Sequence, residues 1–253
     1  MDEEEEISPA HPRYASLVTR QKLAEMAKRG VVHMTGLIAH GRGEAFDYIL
    51  GEKSTIMAQH AERAAAYALL TAKHPVITVN GNVAALCADR VARIANLTGA
   101  LVEINLFHRN RGRIEMIREL LIKSGVQNPI TETDYEVEGI ASSRRLSSTR
   151  GTGRADVILI PLEDGDRAQA LRDAGKKVIS IDLNPLSRTS IAASISIVDE
   201  VGRAMDAIYA FASSHPSVEE MNKFLSSYDN KQVLNDTLHF MAERLLKLAG
   251  SGK

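Results

Sequence analysis

Between residues 76 and 198, short apolar β-branched runs alternate with stretches whose apolar residues recur at helical spacing. This alternation limits the fold more than any other feature of the 253-residue chain. VITV (76–79), LVEINLF (101–107), DVILI (156–160), VISI (178–181) and ISIV (195–198) read as strands. The first stops at Asn80-Gly81-Asn82, the third at Pro161 and the acidic residues after it, the fourth at Asp182. Val83, Leu86, Cys87, Val91, Ile94 and Leu97 share one helical face, closed by Gly99. Ile114, Ile117, Leu120 and Leu121 mark a helix ending at Gly125. Asp166 is the expected N-cap of another, which carries Ala170, Leu171 and Ala174 to Gly175. Such an order predicts an α/β chain with a doubly wound, mostly parallel sheet and right-handed crossovers.

Helices flank this core (residues 74–200) on both sides, and the reading is of one domain over 1–253. A helical part covers 14–73, with helices at 14–29 and 57–73, the second rich in alanine (Ala61, Ala64, Ala65, Ala68, Ala72) for close helix approach. Further helices fill 201–253, where Leu234, Leu238, Met241, Leu245 and Leu248 form an a/d-like stripe. That stripe fits packing on the chain's own sheet or a homodimer seam, and its spacing does not choose between them. Residues 128–153 fit neither period and gather Arg144, Arg145 and Arg150, as a functional or mobile loop does. Residues 1–10 read as an acidic flexible tail, opposite in charge to a secretory signal. With a net charge of −1 there is no basic surplus for nucleic acid, and no run of about 18 apolar residues suits a membrane. A cytoplasmic protein is expected. Cys87, the only cysteine, reads as a buried thiol.

The chemistry gathers at the expected carboxyl ends of the strands, where open α/β sheets bind ligands. Asp182-Leu183-Asn184-Pro185-Leu186-Ser187-Arg188-Thr189 is a polar loop stiffened by Pro185. Gly41 and Gly43 bracket Arg42 before a helix expected to start near Glu44, which suits a phosphate held by backbone and guanidinium. Asn80 and Asn82 follow the first strand, and His108, Arg109, Arg111 and Arg113 make a basic tip after the second. Glu163, Asp164 and Asp166 after the third suit Mg²⁺ or an ammonium group, with a solvated helix start as the plain alternative. No glycine fingerprint for dinucleotides, phosphate-binding loop, zinc-type spacing or Ser-His-Asp elbow is present, and His33, His74, His215 and His239 read as isolated. Cations and carboxylates on one sheet edge suit phosphoryl or nucleotidyl transfer.

Together, HPRYASLVTR, GLIAHGRGEAFDYILGE, VNGN, EINLFHR, PLEDGDR and IDLNPLSRT, in this order and spacing, closely resemble the archaeal phosphopantothenate synthetase family, the 4-phosphopantoate–β-alanine ligases. The likeness runs from about His11 to the helix after Asp199. It implies a Rossmann-like core, a homodimer, and condensation of 4-phosphopantoate with β-alanine, with ATP and Mg²⁺, releasing AMP and diphosphate on the route to coenzyme A. On matching positions it implies that Arg20 and Arg42 hold ATP phosphates, and that Asp182, Leu183, Asn184, Arg188, Thr189, Glu200 and Val201 hold the rest of the nucleotide. Many relatives carry Asn where Glu200 stands, which leaves a backbone contact there. An acyl-adenylate route follows, with Arg42, Asn82 and Asp164 as the expected catalytic residues and Asn80, Asn105, Arg109 and Glu163 as expected substrate contacts. The metal's ligands are not legible. A dinucleotide-dependent oxidoreductase and a non-catalytic nucleotide sensor are the rival readings.

Overall fold

The computed structural model describes residues 7–250, so the acidic run Asp2–Glu6 lies outside the described residues. Three helices come first: α1 (Tyr14–Lys28), α2 (Met34–Leu50) and α3 (Ile56–Thr71). The core follows as β1 (Pro75–Val79), α4 (Gly81–Thr98), β2 (Leu101–Ile104), α5 (Arg111–Lys123), β3 (Tyr135–Glu136), β4 (Leu146–Ser147), β5 (Val157–Pro161), α6 (Gly165–Asp173), β6 (Lys177–Ile181), α7 (Arg188–Ala192) and β7 (Ile195–Ile197). Helices α8 (Val201–Ser213), α9 (Val218–Ser227) and α10 (Asn230–Gly250) close it.

Five strands form one parallel sheet in the order β2-β1-β5-β6-β7. The chain moves outward from β1 to β2 on one side and from β5 to β7 on the other. Loops leaving β1 and β5 therefore diverge, and a crevice opens between them. Residue alternation sorts the strands' side chains onto two faces. Ile77, Val79, Leu159, Ile179 and Ile181 pack under α3, α4 and α8, whereas Val76, Ile158, Ile160 and Val178 pack with Ala168 and Leu171 of α6. Ala61, Ala64, Ala65 and Ala68 of α3 are buried, and the small side chains let α3 lie close against α8. Cys87 is buried inside α4, and burial pushes its thiol up to about 12. Among the described residues, no helix is long and apolar enough to cross a membrane.

Several boundaries differ from the sequence reading. Helix α2 starts at Met34, not near Glu44, because the His33 side chain accepts the Thr35 N–H and caps it. Gly41, Arg42 and Gly43 therefore lie inside a helix, and no helix N-terminus meets them. Each helical glycine costs about 1 kcal/mol relative to alanine, and at Gly36 the close approach explains its retention: a Cβ there would collide with the Asn82 amide. Strand β2 ends at Ile104, three residues early, where Ile130 adds a parallel bridge along its edge. Helix α6 begins at Gly165 with Asp164, not Asp166, at the N-cap position. Residues 128–153 are ordered rather than a loose loop: β3 pairs with β4, and the Thr152 N–H donates 2.7 Å to the buried Glu103 Oε2. The α10 stripe divides. Leu234 and Met241 are buried on the chain itself, while Leu245, Leu246 and Leu248 are exposed.

Candidate active site at the switch point of the sheet

The crevice between β1 and β5 is a cleft of about 440 Å³. Asn80 builds its floor. Its Oδ1 accepts 3.1 Å from the Val83 N–H, capping α4, while its Nδ2 donates to the Pro161 and Leu162 carbonyls at 3.2 and 2.9 Å. One side chain thus ties the ends of the two diverging strands. Gly81 follows because nothing larger fits: a Cβ there would collide with the Val31 carbonyl oxygen and Arg113 Nη2. Asn82 donates 2.9 Å from Nδ2 to the Gly36 carbonyl and draws α2 over the cleft.

Beneath the middle of the cleft lies a buried charge cluster. Arg144 Nη1 meets Glu163 Oε1 at 2.5 Å and its Nε donates 2.9 Å to Asp164 Oδ2. Arg167, fully buried, stands 3.5 Å from the other Glu163 oxygen. Desolvation pushes the Glu163 carboxyl up and the Arg167 guanidinium down; the attraction of Glu163 to Arg144 and to Arg167 opposes both shifts, while the Arg144 charge pushes Arg167 further down. Asn105 donates to the Arg144 and Leu146 carbonyls, so it secures this excursion from below and does not line the cleft. Glu163 is likewise consumed by its guanidinium partners. Asp164 is the freer of the two carboxylates, with one oxygen outside every hydrogen bond described.

At one end the cleft is lined by His40, Arg42 and Gly43 of α2, by Asp182 and Leu183, and by Asp199, Glu200 and Val201. Arg42 is exposed and bonds to nothing among the described residues. Burial lowers the His40 pKa, which keeps the imidazole neutral near pH 7. The loop beyond β6 is bound to itself: Asp182 accepts from the Asn184 N–H, Asn184 from the Leu186 N–H, and the Thr189 hydroxyl donates 2.8 Å to the Glu163 carbonyl. Glu200 uses its carboxylate to cap α8, accepting from Gly202 and Arg203. Behind it Asp199 accepts from Ser54 and Arg203, and Arg203 also grips Asp47 of α2 at 2.6 Å. Glu62, also fully buried, abuts Asp199, and burial followed by the Asp199 charge pushes it up to about 9, so it holds a proton. Arg20, Asn184, Arg188 and Thr189 stand outside the cleft lining. Arg20 is engaged with Glu44 at 2.6 Å, and Arg188 starts α7 against Gly165.

The other end contains residues that the sequence reading passed over. His33 is not isolated: it stacks on His108 with ring centroids 3.9 Å apart and lines the cleft. Arg113 is only 8% exposed, and its Nε and Nη1 each donate 3.0 Å, to the carbonyls of Val31 and His108. Arg109, by contrast, spends its guanidinium on the Thr131 and Ile104 carbonyls and lies outside the cleft lining. The basic tip after β2 was legible as a group. Which of its arginines faces the cleft was not, because that depends on contacts with residues far away in sequence.

This arrangement carries no glycine-rich phosphate loop, and comparison with known sequences places it. The model of a family described as phosphopantothenate/pantothenate synthetase matches residues 57–244. The chain belongs to that family. Among curated members of the synthetase family, a 4-phosphopantoate–β-alanine ligase of Methanosarcina mazei is 48% identical over 246 residues, covering 96% of this chain and 97% of its own. The ligase of the same name from Methanospirillum hungatei is 48% identical over 242 residues, covering 96% and 99%. That of Thermococcus kodakarensis is 43% identical over 250 residues, covering 97% and 96%.

Proposed function

We propose that this synthetase condenses 4-phosphopantoate with β-alanine, consuming ATP and releasing AMP and diphosphate, and so supplies 4-phosphopantothenate for coenzyme A. The observation that carries the reading is one continuous cleft at the switch point that offers cations to phosphates and a half-free carboxylate to an amine, in a chain that relatives of that name match along nearly their whole length. ATP occupies the end formed by Arg42, Asp182, Leu183, Glu200 and Val201, with Arg20, Asn184, Arg188 and Thr189 steadying its rim. Glu200, whose carboxylate caps α8, offers ATP its backbone.

In the first step a carboxylate oxygen of phosphopantoate attacks the α-phosphorus, the bond to the bridging oxygen breaks, and diphosphate leaves. The β-alanine amine then attacks the acyl carbon, AMP departs with the acyl–oxygen electron pair, and an amide forms. Arg42 neutralises charge on the phosphates, and Asn82 at the first turn of α4 orients the acid. Asp164 receives the ammonium group of β-alanine. The neutral His40, in the lining of the same cleft, is assigned the proton that this ammonium sheds before attack. Positioning of reactants supplies much of the acceleration.

No group of three or more His, Cys, Asp or Glu side chains able to hold a metal is present among the described residues. That suits Mg²⁺, which binds through substrate phosphates and one or two carboxylates rather than an all-protein cage. Asp182, which keeps one oxygen free of the hydrogen bonds described, would hold it together with the substrate phosphates. Bound there, the cation would neutralise phosphate charge. The exposed Leu245, Leu246 and Leu248 of α10 support a homodimer, and the reading places the enzyme in the cytoplasm. The test is an AMP-coupled assay together with positional isotope exchange in ATP. Turnover with phosphopantoate but not pantoate, and phosphopantoate-dependent scrambling without β-alanine, are expected; ADP as product overturns the adenylate.

A further inference from the structure

A second cavity, of about 450 Å³, lies between the connection from α2 to α3 and the last turns of α10. No residue lines both this cavity and the cleft. Three cations, Lys53, Arg244 and Lys247, line it against a single carboxylate, Glu243. Among the described residues none of the three has a hydrogen-bond or ion-pair partner, and Arg244 Nε is buried without an acceptor. Elsewhere on the molecule Arg20, Arg63, Arg90, Arg93 and Arg203 each meet a carboxylate oxygen at 2.9 Å or less. The unpaired charge is therefore particular to this cavity. A guanidinium nitrogen taken out of water with no acceptor is costly unless an anion arrives to offset it.

Local sequence builds both walls. Phe240, Arg244, Lys247 and Leu248 recur at helical spacing and so share one face of α10. Gly51, left-handed at φ +93°, ends α2 and makes room for the guanidinium: a Cβ there would crowd Arg244 Cζ at 3.0 Å. Opposite, Thr55 caps the 16-residue α3 by accepting the Ala58 N–H at 3.1 Å. The N–H groups of Ile56 and Met57 belong to the first turn, which has no helical carbonyl to bond. Ile56 is 81% exposed, and with Phe240 and Leu248 it gives the cavity an apolar wall beside the cations. Leu245 and Leu246, on the dimer face proposed for α10, do not line it. Ser54, which does, donates 2.5 Å to Asp199 Oδ2, and Asp199 Oδ1 accepts the Glu200 N–H at 2.7 Å. The cavity thus backs on the end of the cleft proposed for ATP without opening into it.

We infer that this cavity is a second binding site, for a phosphate monoester with an apolar body. Lys53, Arg244, Lys247 and the first turn of α3 receive the phosphate, and the wall of Ile56, Phe240 and Leu248 takes the carbon skeleton. Converging cations beside apolar surface are what such a ligand requires, since either feature alone leaves half of it unsatisfied. The site stands apart from the proposed reaction and does not depend on it.

The test is hydrogen–deuterium exchange of the full chain, with phenyl phosphate as the probe and phenol as its uncharged counterpart, for wild type, Arg244→Gln and Lys53→Gln. Phenyl phosphate should slow exchange over residues 51–58 of the wild type, and phenol should not. The concentration giving half of that protection should rise about tenfold in Arg244→Gln and about threefold in Lys53→Gln. Protection that the probe gives the cleft over residues 36–43 should be the same in all three proteins. Lys53 is exposed, so Lys53→Gln keeps the test open if Arg244→Gln unfolds. Unslowed exchange over 51–58 in the wild type overturns the site. Equal slowing by phenol also overturns it, as does undiminished protection in the folded variants.

Discussion

The two ends of the cleft are both polar but differ in what they leave unspent. At the β6–β7 end the donors and acceptors mostly serve one another: Asp182 and Asn184 close their own loop, Thr189 ties it to β5, and Glu200 and Asp199 organise the start of α8. Arg42 is the free cation there among the described residues. At the β1–β2 end Arg113 has no carboxylate partner among the described residues, and the first turn of α4 adds N–H groups with no partner described there. Binding capacity thus follows what remains after internal hydrogen bonds are satisfied, not how many polar residues a loop contains.

The largest effect should come from the cluster that joins the two ends. Glu163→Ala strands Arg167 in the interior, leaves Arg144 with Asp164 alone, and is expected to cost about 3–5 kcal/mol, read from urea unfolding midpoints. A loss below about 1 kcal/mol would mean the cluster is no electrostatic keystone. Next comes proton linkage behind Asp199. The folded Glu62 carboxyl, raised from an ordinary 4.5 to about 9, holds its proton while the unfolded chain releases it, so its contribution is complete below pH 4.5 and lost as pH rises toward 9. Glu62→Gln keeps the size of the side chain without that linkage. Its melting temperature should gain on the wild type from pH 5 to pH 9, whereas parallel curves would show that Glu62 is ionised in the fold.

Kinetics separate the ends more finely. Arg42→Ala is expected to raise KM for ATP at least tenfold, about 1.4 kcal/mol, and to leave KM for the phosphorylated acid nearly unmoved. A rise in KM for the phosphorylated acid with KM for ATP unmoved would exchange the ends. Arg188→Ala, at an exposed position outside the lining, should weaken ATP severalfold and β-alanine not at all, and unaltered ATP binding would remove it from the nucleotide rim. The smallest effect on the fold is expected from Leu246→Ser, at a leucine 74% exposed on α10. Monomer stability should change by no more than about 0.5 kcal/mol, while sedimentation should report a weakened dimer if this face is the seam.

Much of the architecture was legible because hydrophobic period is a local signal. All five strands of the main sheet, Gly99, Gly125 and Gly175 after their helices, and the loops at the sheet's carboxyl edge follow from residues near in sequence. The start of α2 was not legible, because Gly41 and Gly43 around Arg42 imitate a turn while a histidine cap well before them sets the helix. The excursion over 128–153 was also opaque, since Glu103, Ile130 and Thr152 order it across long separations.

By itself the sequence determined the α/β class, the strands, the family and the sheet edge that carries the cleft, since each rests on patterns that neighbouring residues carry. The tertiary structure decided which polar groups are spent and which are free. Arg113 meets a carbonyl 82 residues away, Asn82 one 46 residues away, and Arg144 a carboxylate 20 residues away. Hydrogen-bond satisfaction is settled between distant segments once the core has packed, and no periodicity records it.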